Sequence, residues 1–358
     1  MNNLQTENNE VILGVDTHLD VHVGAVINSS GNLLGTRAVS VSSHGYLDLL
    51  EWAESLGKLK QAGVEGTGTY GAGLCRFLTS RGIVIIEVNR PDRSNRRRQG
   101  KSDPLNAGNA ARAVHSGTAT ATPKKQHGAC EAIRIISVAR RSAVKAKTQA
   151  MNQIRGILVS GPQDIRELVW KTKPHDCAKA CIEMISSDSS DLLESMTETL
   201  KLLGQRWLIL TDELALLDKK LDKLTNEHCK QLRTRMGVGP YTAGILVTVA
   251  GDNPERLRNE AALAALCGVN PLPLPASSGK TIRHRLNRGG NREANNALWT
   301  IALVRARSDP RTRLYVARRT AEGLTTKEIY RCLKRYIVRE LYPLILSDLK
   351  RINFSGLT

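Results

Sequence analysis

The run Val11-Ile-Leu-Gly-Val15 carries the chain into a single carboxylate, Asp16, and this constrains the fold more than any other feature. Apolar and small residues over that length read as a buried strand delivering an acid to its end. Residues 21–27 and 33–41 follow as further short strands. They are separated by Asn28-Ser-Ser-Gly-Asn32, whose residues tolerate left-handed backbone. A helix is expected near 43–55, capped by Ser42 or Ser43, then a strand closing at Val64-Glu65 and a helix over 71–81. The apolar run Ile83-Val-Ile-Ile-Glu-Val88 is short and β-branched enough for an interior strand. A basic stretch over 90–101 leads into a helix containing 107–114. The order is β-β-β-α-β-α-β-α.

That order is the one of the RNase H-like fold, and it defines an α/β unit over 11–120. Actin-like ATPases and sugar kinases share its opening strands, but they need a repeated copy of the unit and a glycine phosphate loop after the first acid. Thr17-His18-Leu19 follows Asp16 instead, and the sequence holds no repeat. Charge points the same way. The formal net charge is +18, and residues 280–351 carry 14 Arg and 4 Lys against 6 acids. Arg96-Arg97-Arg98 and Arg140-Arg141 form smaller clusters. Such a field attracts polyphosphate by counterion release, and the guanidinium fork matches phosphate oxygens. Aromatics make up only 4%, which argues against a reader that stacks single-stranded bases.

Beyond the α/β unit, residues 121–230 read as helical. Leu200, Leu203, Trp207, Leu210, Leu214, Leu217, Leu221 and Leu224 alternate spacings of three and four, a coiled-coil seam whose partner is either the helix around 131–158 or another protomer. The third region, 231–345, opens with Met236-Gly-Val-Gly-Pro-Tyr-Thr-Ala243. Gly237 and Gly239 there suit either a helix-hairpin-helix element holding a phosphate on backbone N–H groups or an ordinary helix-turn-helix connection. A small-residue helix over 261–268 leads to Asn270-Pro-Leu-Pro-Leu-Pro275 and then Ser277-Ser278-Gly279-Lys280, a loop before a basic helix. Residues 1–10 are expected to be disordered and 346–358 to form a tail. The polar N-terminus, seven dispersed cysteines and the lack of an 18-residue apolar stretch favour a reduced, cytoplasmic protein outside the membrane.

Three acids stand where a metal site would need them. Asp16 ends the first strand and Glu65 the fourth, and these strands are neighbours in the inferred fold. Asp103, before Pro104, opens the last helix and also fits its N-cap. Oxygen ligands of this kind suit Mg²⁺, and paired ions can hold the attacking and leaving oxygens of a phosphodiester.

Together, Gly14-Val-Asp16-Thr, Glu65-Gly-Thr-Gly-Thr-Tyr70 and Lys101-Ser-Asp103-Pro-Leu-Asn106-Ala107 resemble the RuvC-like half of the insertion-sequence one-ten family of transposases, relatives of the Piv DNA invertases. Met236-Gly-Val-Gly-Pro, Leu266-Cys-Gly-Val-Asn-Pro271, Ser278-Gly279 and Arg285-Leu-Asn-Arg-Gly-Gly-Asn291 continue the likeness along the chain. The resemblance implies a RuvC-like domain, a coiled-coil spacer and a mainly helical transposase domain with a nucleophilic serine. It also implies a structured bridge RNA that pairs with donor and target DNA, and a dimer or a tetramer of two dimers. Asp16, Glu65 and Asp103 match the first three acids of the family's four, as ligands for Mg²⁺. The fourth position is Asn106, which removes one negative charge but offers a carbonyl oxygen. Ser278 matches the nucleophile, and activation by the metal is the economical route. Arg96, Arg97, Arg98, Lys101, Gly237, Gly239, Lys280, Arg283, Arg285, Arg288 and Arg292 are the candidate nucleic-acid contacts. A hydrolytic RuvC-type nuclease would not need Ser278. A nucleic-acid-binding derivative would form no covalent DNA adduct, and Asn106 keeps that alternative open.

Overall fold

The computed structural model describes residues 9–88, 102–126, 128–185, 190–251, 254–274 and 283–355. It divides into two compact units, Met1–Gln126 and His127–Thr358.

In the first unit, β1 (Glu10–Thr17), β2 (Val21–Asn28) and β3 (Leu33–Ser40) form an antiparallel meander, followed by α1 (Ser43–Ser55). Ser42 caps α1 by accepting a hydrogen bond from the Gly45 N–H. Then come β4 (Lys58–Glu65), α2 (Ala72–Ser80), β5 (Val84–Val88) and α3 (Asp103–His115). The sheet order is β3-β2-β1-β4-β5, with β4 parallel to both β1 and β5. This mixed sheet is compatible with an RNase H-like domain. Its core combines Leu13 and Val15 of β1 with Leu49 of α1 and Leu74 and Leu78 of α2.

One expectation fails. The run ending at Val88 is the edge strand among the described residues, not an interior one. Its Ile85 and Val88 are buried while Val84 is 53% exposed, and its free edge is met by a bridge between Glu87 and Ala121. A β-branched run is satisfied by one covered face, so composition did not report its position in the sheet.

In the second unit, α4 (Gly128–Ser160) and α7 (Asp191–His228) are two long helices packed along each other, with α5 (Gln163–Val169) and α6 (Pro174–Glu183) between them in sequence. At one end Ile154, Leu158, Cys181, Leu200 and Trp207 share a core. At the other, Ile133 and Leu221 join the core of the remaining helices. The leucine seam therefore has a partner within the chain, though Leu210, Leu214 and Leu217 in its middle stay half exposed. An Arg140–Asp218 ion pair and Lys147 Nζ 4.3 Å from the Trp207 ring centroid bridge this stretch.

The rest of this unit is α8 (Lys230–Arg233), α9 (Pro240–Ala250), a 3₁₀ turn (Pro254–Arg256), α10 (Glu260–Leu266), the hairpin β6 (Pro271–Leu274) and β7 (Arg283–Leu286), α11 (Arg292–Ser308), α12 (Pro310–Ala321) and α13 (Thr326–Ser355). α9 sits at its centre, buried along most of its length. The fully buried Asp348 of α13 accepts hydrogen bonds from the N–H groups of Gln231 and Leu232 and so caps α8. Burial nevertheless pushes its carboxyl above the ordinary range. The basic helix expected after Ser278 is a strand instead, β7, paired with the Pro-rich β6. Among the described residues no helix is long and apolar enough to cross a membrane.

Candidate functional site

A glycine pair lets a helix bring Asp103 and Asn106 up to Asp16, whereas the Glu65 carboxylate is not among the clustered ligand atoms. Gly14 of β1 lies beside Gly63 of β4 in the parallel register. A Cβ at Gly14 would collide with the backbone of Ala107 and Ala111, and one at Gly63 would meet Ala110 O at 2.7 Å. The missing side chains form a shallow groove, and α3 lies in it on Ala107, Ala110 and Ala111, all of them buried. This close approach carries the first turn of α3 to the C-terminal end of β1. Ser102 occupies the N-cap position without a side-chain capping hydrogen bond, so Asp103 is the first helical residue and not the N-cap. There its carboxylate complements the positive end of the helix dipole.

Asp16 is buried, and its Oδ2 accepts a hydrogen bond of 2.9 Å from Asn106 Nδ2. Glu65 closes β4 at the adjoining strand end, one step beyond the Val15–Val64 pair. Thr17 Oγ1 donates to the Glu65 carbonyl at 2.9 Å and ties the two strand ends together. At Gly66 the chain turns with φ of +63°, which requires glycine, and leaves the sheet directly after the acid.

His18 completes the group, and sequence reasoning did not select it. Its Nε2 lies 3.6 Å from Asp16 Oδ2 and 3.5 Å from Asp103 Oδ1. Ligand atoms of Asp16, His18 and Asp103 all fall within 4.8 Å of one another. Atoms so spaced can be shared by one divalent cation at about 2.0–2.2 Å from each. The donor chemistry fits as well: two carboxylates balance the charge, and the imidazole adds a neutral nitrogen. Two residues beyond a strand-end acid, His18 was legible in sequence only as a turn residue.

The other candidates fall elsewhere. Ser278, Lys280, Arg96, Arg97, Arg98 and Lys101 lie outside the described residues. Arg283 and Arg285 are on β7, opposite Leu274 and Leu272, while Arg288 is exposed between that strand and α11 and Arg292 is exposed at the first position of α11. Gly237 has φ of +81° and packs against Ile301 of α11, which accounts for glycine there. Gly239 is the extended N-cap of α9, with open space where a Cβ would stand.

Two family models match the chain. A DEDD transposase model of the IS110 group covers residues 13–161, and the transposase model of the IS116/IS110/IS902 family covers residues 229–317. The first includes Asp16, Glu65, Asp103 and Asn106, and the second includes Ser278. The uncharacterized 43.6 kDa protein of insertion element IS110 in Streptomyces coelicolor is 30% identical over 132 residues. That match takes in 36% of this chain and 32% of the relative, so the chain matches about a third of that relative's length. With both models falling in order along it, the chain belongs to the IS110 family of transposases.

Proposed function

We propose that this chain moves its own insertion sequence by cutting and rejoining DNA strands through a phosphoserine intermediate on Ser278. A structured bridge RNA pairs with donor and target DNA and selects the sites. The observation that carries this reading is the meeting of Asp16, His18 and Asp103 at one strand end, inside a matched DEDD transposase model. Asp16, Glu65 and Asp103 would hold Mg²⁺ or a related divalent ion, with His18 and Asn106 beside them. The ion would supply Lewis-acid stabilisation of charge on the phosphoryl oxygens. In the transfer itself, Ser278 Oγ forms a bond to phosphorus as it gives up its proton, and the displaced strand end leaves as an alcohol. A hydroxyl of the incoming strand then attacks the phosphoserine and restores Ser278, so the energy of the phosphodiester bond is conserved.

A homo-oligomer, a dimer or a tetramer of two dimers, is supported by Leu202, Ile209 and Leu216 of α7. They recur every seven residues and are each more than 60% exposed. The units 11–120, 121–230 and 231–345 would then serve as metal domain, spacer and serine domain.

Purified protein, its flanking RNA, labelled donor and target DNA and Mg²⁺, resolved on denaturing gels, test the reading. A protein–DNA adduct should form and vanish with Ser278→Ala. An adduct seen only in Asn106→Asp would mean that the amide on Asp16 disables this copy, a second reading favoured by the 2.9 Å contact. Cleavage without an adduct would replace the proposal with a hydrolytic nuclease.

A further inference from the structure

A cavity of about 340 Å³ opens between the β6–β7 hairpin and α13. Its size is that of a small-ligand site. Pro271, Leu286 and Tyr336 give it an apolar side, and Arg331, Lys334, Arg335 and Arg339 a cationic one.

The four cations are not equivalent. Arg335 forms a two-pronged pair with Glu260, and Arg339 Nε lies 3.7 Å from the same carboxylate. These two share the single negative charge of Glu260. Arg331 and Lys334 make no ion pair among the described residues. Lys334 Nζ instead donates to Asn295 Oδ1 at 2.7 Å. The Asn295 amide is itself fixed, because its Nδ2 donates to the carbonyls of Cys267 and Gly268 at 3.0 and 3.1 Å. One ammonium proton is thus held by a neutral partner, and the other two have no carboxylate to meet. Half-buried beside the Arg331 guanidinium, Lys334 has its pKa pushed down, first by desolvation and then by that like charge. Lys334 is thus a fixed, half-buried cation that forms no ion pair among the described residues and sits beside the exposed Arg331 guanidinium, an arrangement that an arriving anion would complete.

We propose that this cavity seats a nucleic-acid phosphodiester, with Arg331 and Lys334 as its cationic ligands and Tyr336 and Leu286 as the wall for the attached sugar or base. Tyr336 suits that role: it is 54% exposed and held edge-on by Tyr315, with ring centroids 5.8 Å apart. In sequence, residues 275–282 between β6 and β7 contain Ser278. A strand seated here would therefore be held by the strands that flank the proposed nucleophile in sequence. The identity of that strand rests on the proposed function, whereas the anion site stands on the geometry alone.

Fluorescence anisotropy of the full chain with labelled duplex DNA, and separately with a labelled RNA hairpin, over a salt series tests this. The variants are Lys334→Met, Arg331→Met and the charge-preserving Lys334→Arg, with the exposed Lys219→Met of α7 as control. Each Met variant at the cavity should bind roughly tenfold more weakly. Its log K against log salt slope should flatten by about one. Lys334→Arg should keep the parental slope, which a merely structural lysine would not ensure, and Lys219→Met should leave affinity unchanged. A loss confined to DNA assigns the phosphate to a DNA strand, and one confined to RNA assigns it to the guide. Parental affinity and slope for both polymers in both Met variants would overturn the inference, even if the DNA adduct still forms. Flattened slopes without any adduct in the parent would leave the phosphate seat standing and remove the transposition mechanism.

Discussion

His18 places a nitrogen beside candidate ligands that were all oxygens in the sequence, and this bears on which ion the site would hold. Mg²⁺ prefers oxygen donors in near-octahedral geometry and gives up its waters reluctantly, whereas Mn²⁺ accepts imidazole beside carboxylates. Asn106 adds no charge and donates to Asp16 Oδ2, so the buried acid has a neutral amide beside it where the family pattern has another carboxylate. The expected outcome is that Mn²⁺ binds the full chain more tightly than Mg²⁺. Pulsed electron paramagnetic resonance of the Mn²⁺ complex should show coupling to one imidazole nitrogen. In His18→Ala that coupling should disappear and affinity fall by at least about tenfold, while Asp16→Asn should bind little or no Mn²⁺. A parent that holds Mn²⁺ without nitrogen coupling would exclude His18 as a ligand while leaving the carboxylate site intact. Asp16 and Asp103 could be singled out from sequence because each sits at a strand end or helix start. His18 could not, because its role depends on α3 arriving from far along the chain.

At the scale of elements, the site depends on how closely α3 can approach the sheet. Gly14 and Gly63 are paired across β1 and β4, and the helix packs on them with Ala107, Ala110, Ala111 and Val114. Gly14→Ala forces a methyl into the backbone of α3, where no side-chain rotation can relieve it. Urea unfolding should show a loss of about 3 kcal/mol, together with weakened Mn²⁺ binding as Asp103 and Asn106 are displaced. Gly156→Ala is the matched control. It lies in α4, exposed, with nothing within 4 Å of an added Cβ, and should gain about 0.5–1 kcal/mol. If both substitutions behave alike, the groove is not what positions α3. The element order of this unit was legible because alternation, caps and turns punctuate it clearly. The β6–β7 hairpin was not, since prolines on one strand and arginines on the other hide the usual strand signature. The long pairing of α4 with α7 was foreshadowed by the leucine seam, but burial at its two ends and half exposure at its middle could come only from the packing.

For the molecule as a whole, the question is where the excess of positive charge goes. All six acids within residues 280–351 are already engaged. Glu293 pairs with Arg141, Glu322 with Arg318 and Arg319, and Glu340 with Arg305. Asp309 and Asp348 cap helices, and Glu328 accepts from Thr325. Left over are Arg288, Arg292, Arg307, Arg311, Arg313 and Arg331, all exposed and none in an ion pair among the described residues. Guanidinium groups that cannot find carboxylates at home are available to phosphates. Binding to duplex DNA of arbitrary sequence should therefore be strongly salt-dependent. If roughly 6–10 phosphates are engaged, affinity should fall by about 10³–10⁵ between 50 and 200 mM salt. Filter binding across that range measures the slope directly. Replacing Arg311 and Arg313 together by Gln should flatten it by about two while leaving Mn²⁺ affinity unchanged. A slope shallower than about −3 in the parent would mean that this charge serves solubility and not phosphate contact.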